Sequence, residues 1–271
     1  MKAPLLSICI PTFNRVLYLK DLVPALLHEI ASATDRTGLK IELLVSNNAS
    51  TDTTEDFLQS IRSPFYYHRK NDHNIGAEGN FFTCINSSSG EYVWLFGDDE
   101  LIEVGGVEKL ITQLVAEAPE LIILDHVLNE PRLYPSYKSC LLNEMKQTLD
   151  FPLHHTLITA NVFKKEIFDI PYAHTKLGLE YAQMFGLMRN SNTFKKIIVM
   201  GGIMRTHSKR APFHSWPFAL CVRQGIYLFY LANWTGVKRL YLQAFRTCMN
   251  LPVELLSRFI HRFFPSLIER R

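Results

Sequence analysis

Three acidic residues in succession follow an apolar run near residue 100. Gly97-Asp98-Asp99-Glu100 comes directly after residues 92–96 (YVWLF), a run typical of a strand buried on both faces. Adjacent carboxylates at the end of a buried strand repel one another, and a divalent cation compensates their charge. Mg²⁺ and Mn²⁺ bind a few carboxylate oxygens together with phosphate oxygens and water. A solvated acidic loop or an acid-rich helix start is the alternative, and the residues alone leave both open.

Two other polar segments follow apolar runs in the same way. Pro11-Thr12-Phe13-Asn14-Arg15 follows residues 5–10 (LLSICI), and Asn47-Asn48 follows residues 41–45 (IELLV). In open sheets of parallel strands, ligands bind beyond the carboxyl ends of the strands. The three polar segments are therefore expected to form one site at one edge of a sheet.

The first half of the chain alternates predicted strands and helices. The strands are expected at 5–10, 41–45, 65–69, 92–96 and 121–124, and the helices at 15–31, 53–61, 80–86 and 107–117. Asn14 is a candidate cap for the first helix, and Gly38 ends it. Beyond residue 130 the alternation weakens, with a helix predicted at 176–190, a strand at 197–200 and helical spacing from about 218. This order predicts an α/β fold with a mainly parallel sheet flanked by helices.

Composition limits the class of protein. The 271 residues are 47% hydrophobic and 12% aromatic, enough for a packed core, and the net charge of +3 is too small to indicate nucleic-acid binding. The five cysteines are odd in number and form no CxxC pair, which excludes a disulfide framework and favours a reduced, cytoplasmic compartment. Neither a signal peptide nor a spanning apolar run is evident.

Four segments, taken in order, resemble family 2 glycosyltransferases. They are Pro11-Thr12-Phe13-Asn14-Arg15 ("P-T-[YF]-N-R"), Ser46 to Asp52 ("D-D-G-S-T-D"), Asn74-Ile75-Gly76 to Asn80 ("N-x-G-x-x-x-N"), and Gly97-Asp98-Asp99-Glu100 in the place of "D-x-D". The resemblance covers residues 5 to about 115 and implies the GT-A (Rossmann-like) fold. It implies a glycosyltransferase domain at 1–215, divided into a nucleotide-binding half (1–115) and an acceptor half (116–215), followed by a helical extension at 216–271.

The resemblance also implies roles for individual residues. Asp99 is expected to bind Mn²⁺ or Mg²⁺, which bridges the two phosphates of the donor, and Asp98 to contact its ribose or sugar. The other expected donor contacts are Pro11, Thr12, Asn14, Arg15, Asn47, Asn48, Gly76 and Asn80. Asn47-Asn48 stands where the family often has two acids, and an amide can donate as well as accept, so the nucleobase stays open. The alternatives are an Asx-turn at Asn47-Asn48, a turn glycine at Gly76 and a helix cap at Asn80.

Two later segments match positions that complete the site in this family. Glu180, between Gly178 and a helical run, resembles the general base that deprotonates the acceptor hydroxyl, with Asp169 as second candidate. A first-turn glutamate that stabilises its helix is the alternative. In the basic loop 205–210, His207 is a candidate metal ligand, and Lys209 and Arg210 are candidate contacts to the diphosphate; a solvated loop is the alternative.

Residues 238–271 carry seven lysines and arginines against two glutamates. Apolar residues recur there at helical spacing from 253 to 264, opposite Arg258, His261 and Arg262. Such a basic amphipathic helix can lie in an anionic membrane surface. The alternative is a helix packed on the protein itself or on a second subunit of a homodimer.

These observations predict a metal-dependent, inverting hexosyl- or deoxyhexosyltransferase. Its donor is a UDP-, CDP-, GDP- or dTDP-sugar, and its acceptor is a glycan or glycolipid, as in the synthesis of lipopolysaccharide O-antigen or capsule. The predicted location is the cytoplasmic face of the inner membrane. A non-catalytic nucleotide-sugar binding module is the second hypothesis. A phosphoryl-transfer enzyme or pyrophosphorylase would need a glycine-rich loop after the first strand, and residues 11–15 contain no glycine.

Overall fold

The computed structural model describes residues 3–125, 128, 130–147, 158–178, 181–206, 227–228, 230–233, 235–237 and 240. The strands are β1 (Leu6–Thr12), β2 (Ile41–Asn47), β3 (Tyr66–Lys70), β4 (Tyr92–Leu95), β5 (Glu100–Ile102), β6 (Leu121–Leu124), β7 (Arg132–Tyr134), β8 (Asn161–Lys164), β9 (Ile197–Met200) and β10 (Met204–Thr206). The helices are α1 (Val16–Thr37), α2 (Thr54–Ser60), α3 (Gly76–Ser87), α4 (Gly106–Glu117), α5 (Tyr137–Gln147), α6 (Ile170–His174) and α7 (Ala182–Met188).

Eight of the strands form one sheet in the order β3-β2-β1-β4-β8-β6-β9-β7. Strands β1 to β4 are parallel to their neighbours within that group, and β6 is parallel to β9. Strand β8 runs antiparallel between β4 and β6, and β7 runs antiparallel on β9. A separate ribbon pairs β5 with β10. The α/β, mainly parallel fold is confirmed, and the reversed strand β8 joins the early and late parts of the chain.

Helices cover both faces of this sheet. Side chains of α1 and α4, such as Leu22 and Leu110, pack with Ile8 of β1 on one face. Side chains of α3 and α7, such as Phe82 and Phe185, pack on the other face. Every residue of β1 is buried, because the central strand of a two-sided α/β sheet meets apolar side chains above and below.

The described residues between 227 and 240 belong to the second of these layers. Tyr227, Leu231 and Leu240 are fully buried in the same cluster as Phe185. This part of the predicted 216–271 extension is therefore core of the main fold. The amphipathic segment 253–264 lies outside the described residues. Within the part of the chain that is described, no helix combines the length and apolar character needed to cross a bilayer.

Two local predictions were wrong. Within the range 176–190, where one helix was expected, the described residues form only the shorter helix α7, and α6 ends before the range at His174. Gly178 has φ +85°, a left-handed conformation that interrupts a right-handed helix. Asn14 does not cap α1, whose N-cap residue is Arg15. The side-chain oxygen of Asn14 accepts instead from the backbone N–H of Thr51 at 2.8 Å, which joins the loop after β1 to the loop after β2.

Candidate active site

A cleft of about 680 Å³ opens at the carboxyl ends of β1, β2 and β4. Its volume lies within the range of about 300–1,000 Å³ typical of small-molecule sites. The lining residues are Pro11, Thr12, Phe13, Arg15, Asn48, Asn74, Gly76, Ala77, Glu78, Asn80, Phe81, Gly97, Asp98, Asp99, Glu100, Ile158, Thr159, Tyr181 and Gln183. The structure therefore brings together all four of the segments that the sequence singled out.

Asp98 is anchored to the first of those segments. The Thr12 hydroxyl donates to Asp98 Oδ2 at 2.8 Å, and Arg15 Nε lies 3.9 Å from Asp98 Oδ1. Burial raises the pKa of Asp98 to about 6, and the neighbouring Asp99 carboxylate adds to the rise, although Thr12 and Arg15 oppose it. A carboxylate whose charge is only partly compensated by the protein is well suited to a positively charged ligand.

Asp99 differs from its neighbour in its surroundings. It lines the cleft and makes no hydrogen bond or ion pair with any residue that the structure describes. Among the same residues, no three or more His, Cys, Asp and Glu side chains cluster in a way that could hold a metal. Mg²⁺ and Mn²⁺ sites that act on phosphates commonly use one or two carboxylates, with phosphate and water oxygens supplying the rest. Asp99 with Asp98 beside it fits that kind of site.

The turn that carries these carboxylates is fixed by a residue from later in the chain. The Gly97 backbone N–H donates to Thr159 Oγ1 at 2.9 Å, and the Trp94 indole N–H donates to the Thr159 carbonyl oxygen at 2.8 Å. A Cβ on Gly97 would lie 3.0 Å from Thr159 Oγ1, a tight contact that favours glycine at this position. Sequence reasoning missed Thr159, because no motif surrounds it and its partners lie more than 60 residues earlier.

Glu100, the third acid, is buried at the start of β5 and lines the cleft. Its antiparallel partner in the ribbon is Thr206, the last residue of β10. The chain thus leaves β10 beside the acidic cluster and enters the segment that contains His207, Lys209 and Arg210. Those three residues lie outside the described part of the chain.

The amide of Asn48 is fully engaged within the protein. Its Nδ2 donates to Asn74 Oδ1 at 2.8 Å and to the Gly76 carbonyl oxygen at 3.1 Å. Its Oδ1 accepts from Asn71 Nδ2 and from the Ile75 backbone N–H, both at 3.0 Å. A carboxylate could not make the two donated bonds, which gives a physical reason for an amide at this position.

The other predicted asparagines are also bonded inside the protein. Asn80 lines the cleft, where its side chain accepts from Ser46 Oγ at 2.7 Å and donates to the Ser46 carbonyl oxygen at 2.9 Å. Asn80 lies inside α3, so the helix-cap alternative is wrong. Asn47 is not among the cleft-lining residues: its Oδ1 accepts from the Ser50 N–H and its Nδ2 donates to Glu55. Its contacts therefore hold the loop after β2.

The region of the candidate base is described except at residues 179 and 180, so Glu180 itself lies outside the description. Tyr181, the next residue, lines the cleft, as does Gln183. Asp169, the second candidate, does not line it; its side chain accepts from the Tyr172 N–H at 2.9 Å and caps α6. The residue that follows Glu180 therefore lies at the cleft, whereas Asp169 has a structural partner.

The mainly parallel sheet with an acidic cleft at its strand ends is the architecture of nucleotide-sugar-dependent GT-A glycosyltransferases. Residues 7–170 match the model of the glycosyl transferase family 2, and the chain belongs to that family. It is 33% identical over 117 residues to the abequosyltransferase RfbV of Salmonella typhimurium, which is 42% of this chain and 34% of that protein. It is 27% identical over 111 residues to the GalNAc(5)-diNAcBac-PP-undecaprenol beta-1,3-glucosyltransferase of Campylobacter jejuni, covering 40% and 34%. The chain thus spans about a third of the length of these curated relatives.

A solved structure shows the same fold. The mannosyltransferase PcManGT from Pyrobaculum calidifontis, in complex with GDP-Man and Mn²⁺, aligns with a TM-score of 0.60 at 12% identity, covering 100% of this chain and 77% of that one. At 12% identity the likeness establishes a shared fold but does not identify the substrates of this chain.

Proposed function

We propose that this chain is a glycosyltransferase that moves a sugar from a nucleotide-sugar donor to an acceptor hydroxyl, with inversion at the anomeric carbon. The observation that carries the proposal is the pair Asp98 and Asp99 in the cleft, one anchored to Thr12 and Arg15 and the other without a partner among the described residues. This arrangement leaves one carboxylate available to a cation while its neighbour stays fixed.

Asp99, with Asp98 beside it, would hold Mn²⁺ or Mg²⁺. When bound, the ion neutralises the negative charge that develops on the departing nucleoside diphosphate. The complex of the mannosyltransferase PcManGT with GDP-Man and Mn²⁺ supports this assignment. His207, Lys209 and Arg210 come shortly after Thr206, the residue of β10 that pairs with Glu100, and we propose them as contacts to the ion or the diphosphate.

Glu180 is proposed as the general base. It directly precedes Tyr181, which lines the cleft. The base takes the proton of the acceptor hydroxyl as that oxygen forms its bond to the anomeric carbon and the bond to the diphosphate breaks. Asp169 is a weaker candidate because its carboxylate already caps α6.

The acceptor is proposed to be a lipid-linked surface glycan, as in the synthesis of O-antigen or capsule. The name of the Campylobacter relative includes PP-undecaprenol, a lipid carrier. The basic amphipathic pattern at 253–264 suits an enzyme that works at an anionic membrane surface, and the cytoplasmic face of the inner membrane is the proposed location.

The test has two readouts on the same samples. Thermal unfolding is measured with UDP-glucose, CDP-glucose, GDP-mannose and dTDP-glucose, each with and without Mn²⁺, since a ligand that binds the native state raises Tm. Release of nucleoside diphosphate is then measured with the donor that binds. Asp99→Ala is expected to abolish the Mn²⁺-dependent rise in Tm and to lower turnover by at least about a hundredfold.

The control is Asp56→Asn, which removes an exposed carboxylate from the first turn of α2, away from the cleft. Full turnover by Asp99→Ala, or by the wild type with chelator, would refute the metal assignment. Binding of a donor without any turnover would favour the second hypothesis, a non-catalytic nucleotide-sugar binding module.

A further inference from the structure

The carboxylate of Glu78 joins two parts of the chain that are 100 residues apart. Glu78 lies in the first turn of α3. Its Oε2 accepts from the backbone N–H of Gly178 at 2.7 Å, and its Oε1 accepts from the backbone N–H of Ala182 at 2.9 Å. Each oxygen of one side chain is thus bonded to a different backbone amide.

These two amides lie on either side of residues 179–181, the stretch that contains Glu180. Gly178 has φ +85°, a backbone conformation that only glycine adopts without strain, and Ala182 is the first residue of α7. The N-cap residue Tyr181 makes no capping bond with its own side chain. Glu78 therefore supplies from another helix the negatively charged acceptor that a helix start favours.

Glu78 also belongs to the wall of the cleft, next to Gly76 and Ala77. It lies in the segment that the family resemblance assigns to the donor, and it is bonded to the segment that carries the proposed base. We infer that Glu78 is a positioning residue, which bonds the backbone at Gly178 and Ala182 to the donor side of the cleft and thereby supports the proposed base, Glu180. This inference rests on the proposed function, since it needs Glu180 to act as the base.

Only a carboxylate meets the requirement at this position. Two N–H donors need two acceptor oxygens, and the amide of a glutamine offers one oxygen and one donor group. In Glu78→Gln one of the two backbone amides would therefore face an NH₂ group. The backbone would then be bonded to this side chain at Gly178 or at Ala182 but not at both, and the proposed base would lose part of its support.

The experiment is a double-mutant cycle on the full chain, with Glu78→Gln, Glu180→Gln and the combined variant. The readout is kcat and KM for Mn²⁺-dependent release of nucleoside diphosphate from whichever of UDP-glucose, CDP-glucose, GDP-mannose and dTDP-glucose the wild type turns over. Glu78→Gln is expected to lower kcat by about 10- to 100-fold, the effect of misplacing a catalytic group by about 1 Å, with KM for the donor changed by no more than about twofold. In the Glu180→Gln background the same substitution should change kcat by no more than about twofold, because the carboxylate through which Glu78 is proposed to act is already absent.

The matched control is Glu108→Gln. Glu108 also lies in the first turn of its helix, α4, and its partner is Arg36 at 2.6 Å on the surface. This control is expected to keep the wild-type kcat. Glu78→Asp retains both acceptor oxygens on a shorter side chain and is expected to recover part of the kcat lost in Glu78→Gln. If Glu78→Gln does not fold, Glu78→Asp takes its place in the double-mutant cycle.

The outcomes separate the inference from the proposed function. Wild-type kcat in Glu78→Gln, or the same loss of kcat in both backgrounds, overturns the positioning role while the glycosyltransferase assignment stands. Wild-type kcat in Glu180→Gln removes the base assignment and the inference with it. A wild type that turns over none of the four donors refutes the proposed function itself.

Discussion

Asp98→Asn is expected to make the metal-free protein more stable at neutral pH. In the folded state the pKa of Asp98 is about 6, because the carboxylate is buried in the cleft wall and faces Asp99, whereas an exposed aspartate has a pKa of 3.8. The two values differ by about 2, and each pKa unit corresponds to about 1.4 kcal/mol, so ionised Asp98 lowers the free energy of unfolding by up to about 3 kcal/mol.

The sign of this effect defines a pH window. The contribution of Asp98 to stability is fully present below pH 3.8, where the carboxyl is neutral in both states, and it is lost as the pH rises through about 6. Asparagine does not titrate and can still accept from Thr12. The variant should therefore match the wild type near pH 4 and exceed it above pH 7, by about 5–10 °C in Tm.

The assay is thermal unfolding of both proteins between pH 4 and pH 8 in the presence of chelator. Asp52→Asn is a control of opposite sign: slight burial raises the pKa of Asp52, but hydrogen bonds from Thr54 outweigh this and leave the pKa below 3.8. That variant should lose stability at pH 8. Equal Tm for Asp98→Asn and the wild type at pH 8 would show that burial of the ionised Asp98 carboxylate does not destabilise the folded protein, and would refute the predicted effect of its raised pKa.

Two further predictions concern the hydrogen bonds of the Asn48 amide and the basic C-terminal segment. Asn48→Asp should lower the free energy of unfolding by about 2–4 kcal/mol in urea titrations, because a carboxylate cannot donate to Asn74 and Gly76; Asn143→Asp, at an exposed position on α5, should change it by no more than about 0.5 kcal/mol. A loss equal to that of the control would mean that the network adds no stability. Arg258→Glu with Arg262→Glu should abolish co-sedimentation with vesicles containing anionic phosphatidylglycerol, whereas Arg62→Glu should not, and binding that survives the double substitution would exclude an electrostatic membrane contact.

The fold and half of the site could be predicted because they depend on local patterns. Short apolar runs ended by polar residues marked β1, β2 and β4, and parallel pairing then required their ends to meet. Strand β8 could not be predicted in the same way, because its four residues have no distinctive periodicity and their place in the sheet depends on pairing with β4 and β6.

The contacts that complete the site are also non-local. The Thr159 side chain accepts one hydrogen bond from a backbone amide and the Glu78 side chain accepts two. Any threonine or glutamate can make such bonds, so the sequence around these residues does not single them out. For Asn14, by contrast, the sequence did suggest a role, but the predicted partner was wrong. Its residue type suits a helix cap, but its side chain is used between two loops. For Asn14, residue type therefore indicated that the side chain accepts a hydrogen bond, while only the tertiary structure identified the donor as Thr51.

The reversed strand β8 also affects the order in which the protein can assemble. The strand that leads into the acidic turn, β4, pairs on one side with β1 and on the other with residues 162–164. A nascent chain that has emerged only as far as residue 125 would expose that second edge, with its unpaired backbone groups, to other chains. The Gly97 turn would also lack its bond to Thr159 until the same later stretch arrived. The sheet around the acidic turn is therefore complete only when residues 159–164 have folded against it, and a fragment limited to the first 115 residues would be prone to aggregate.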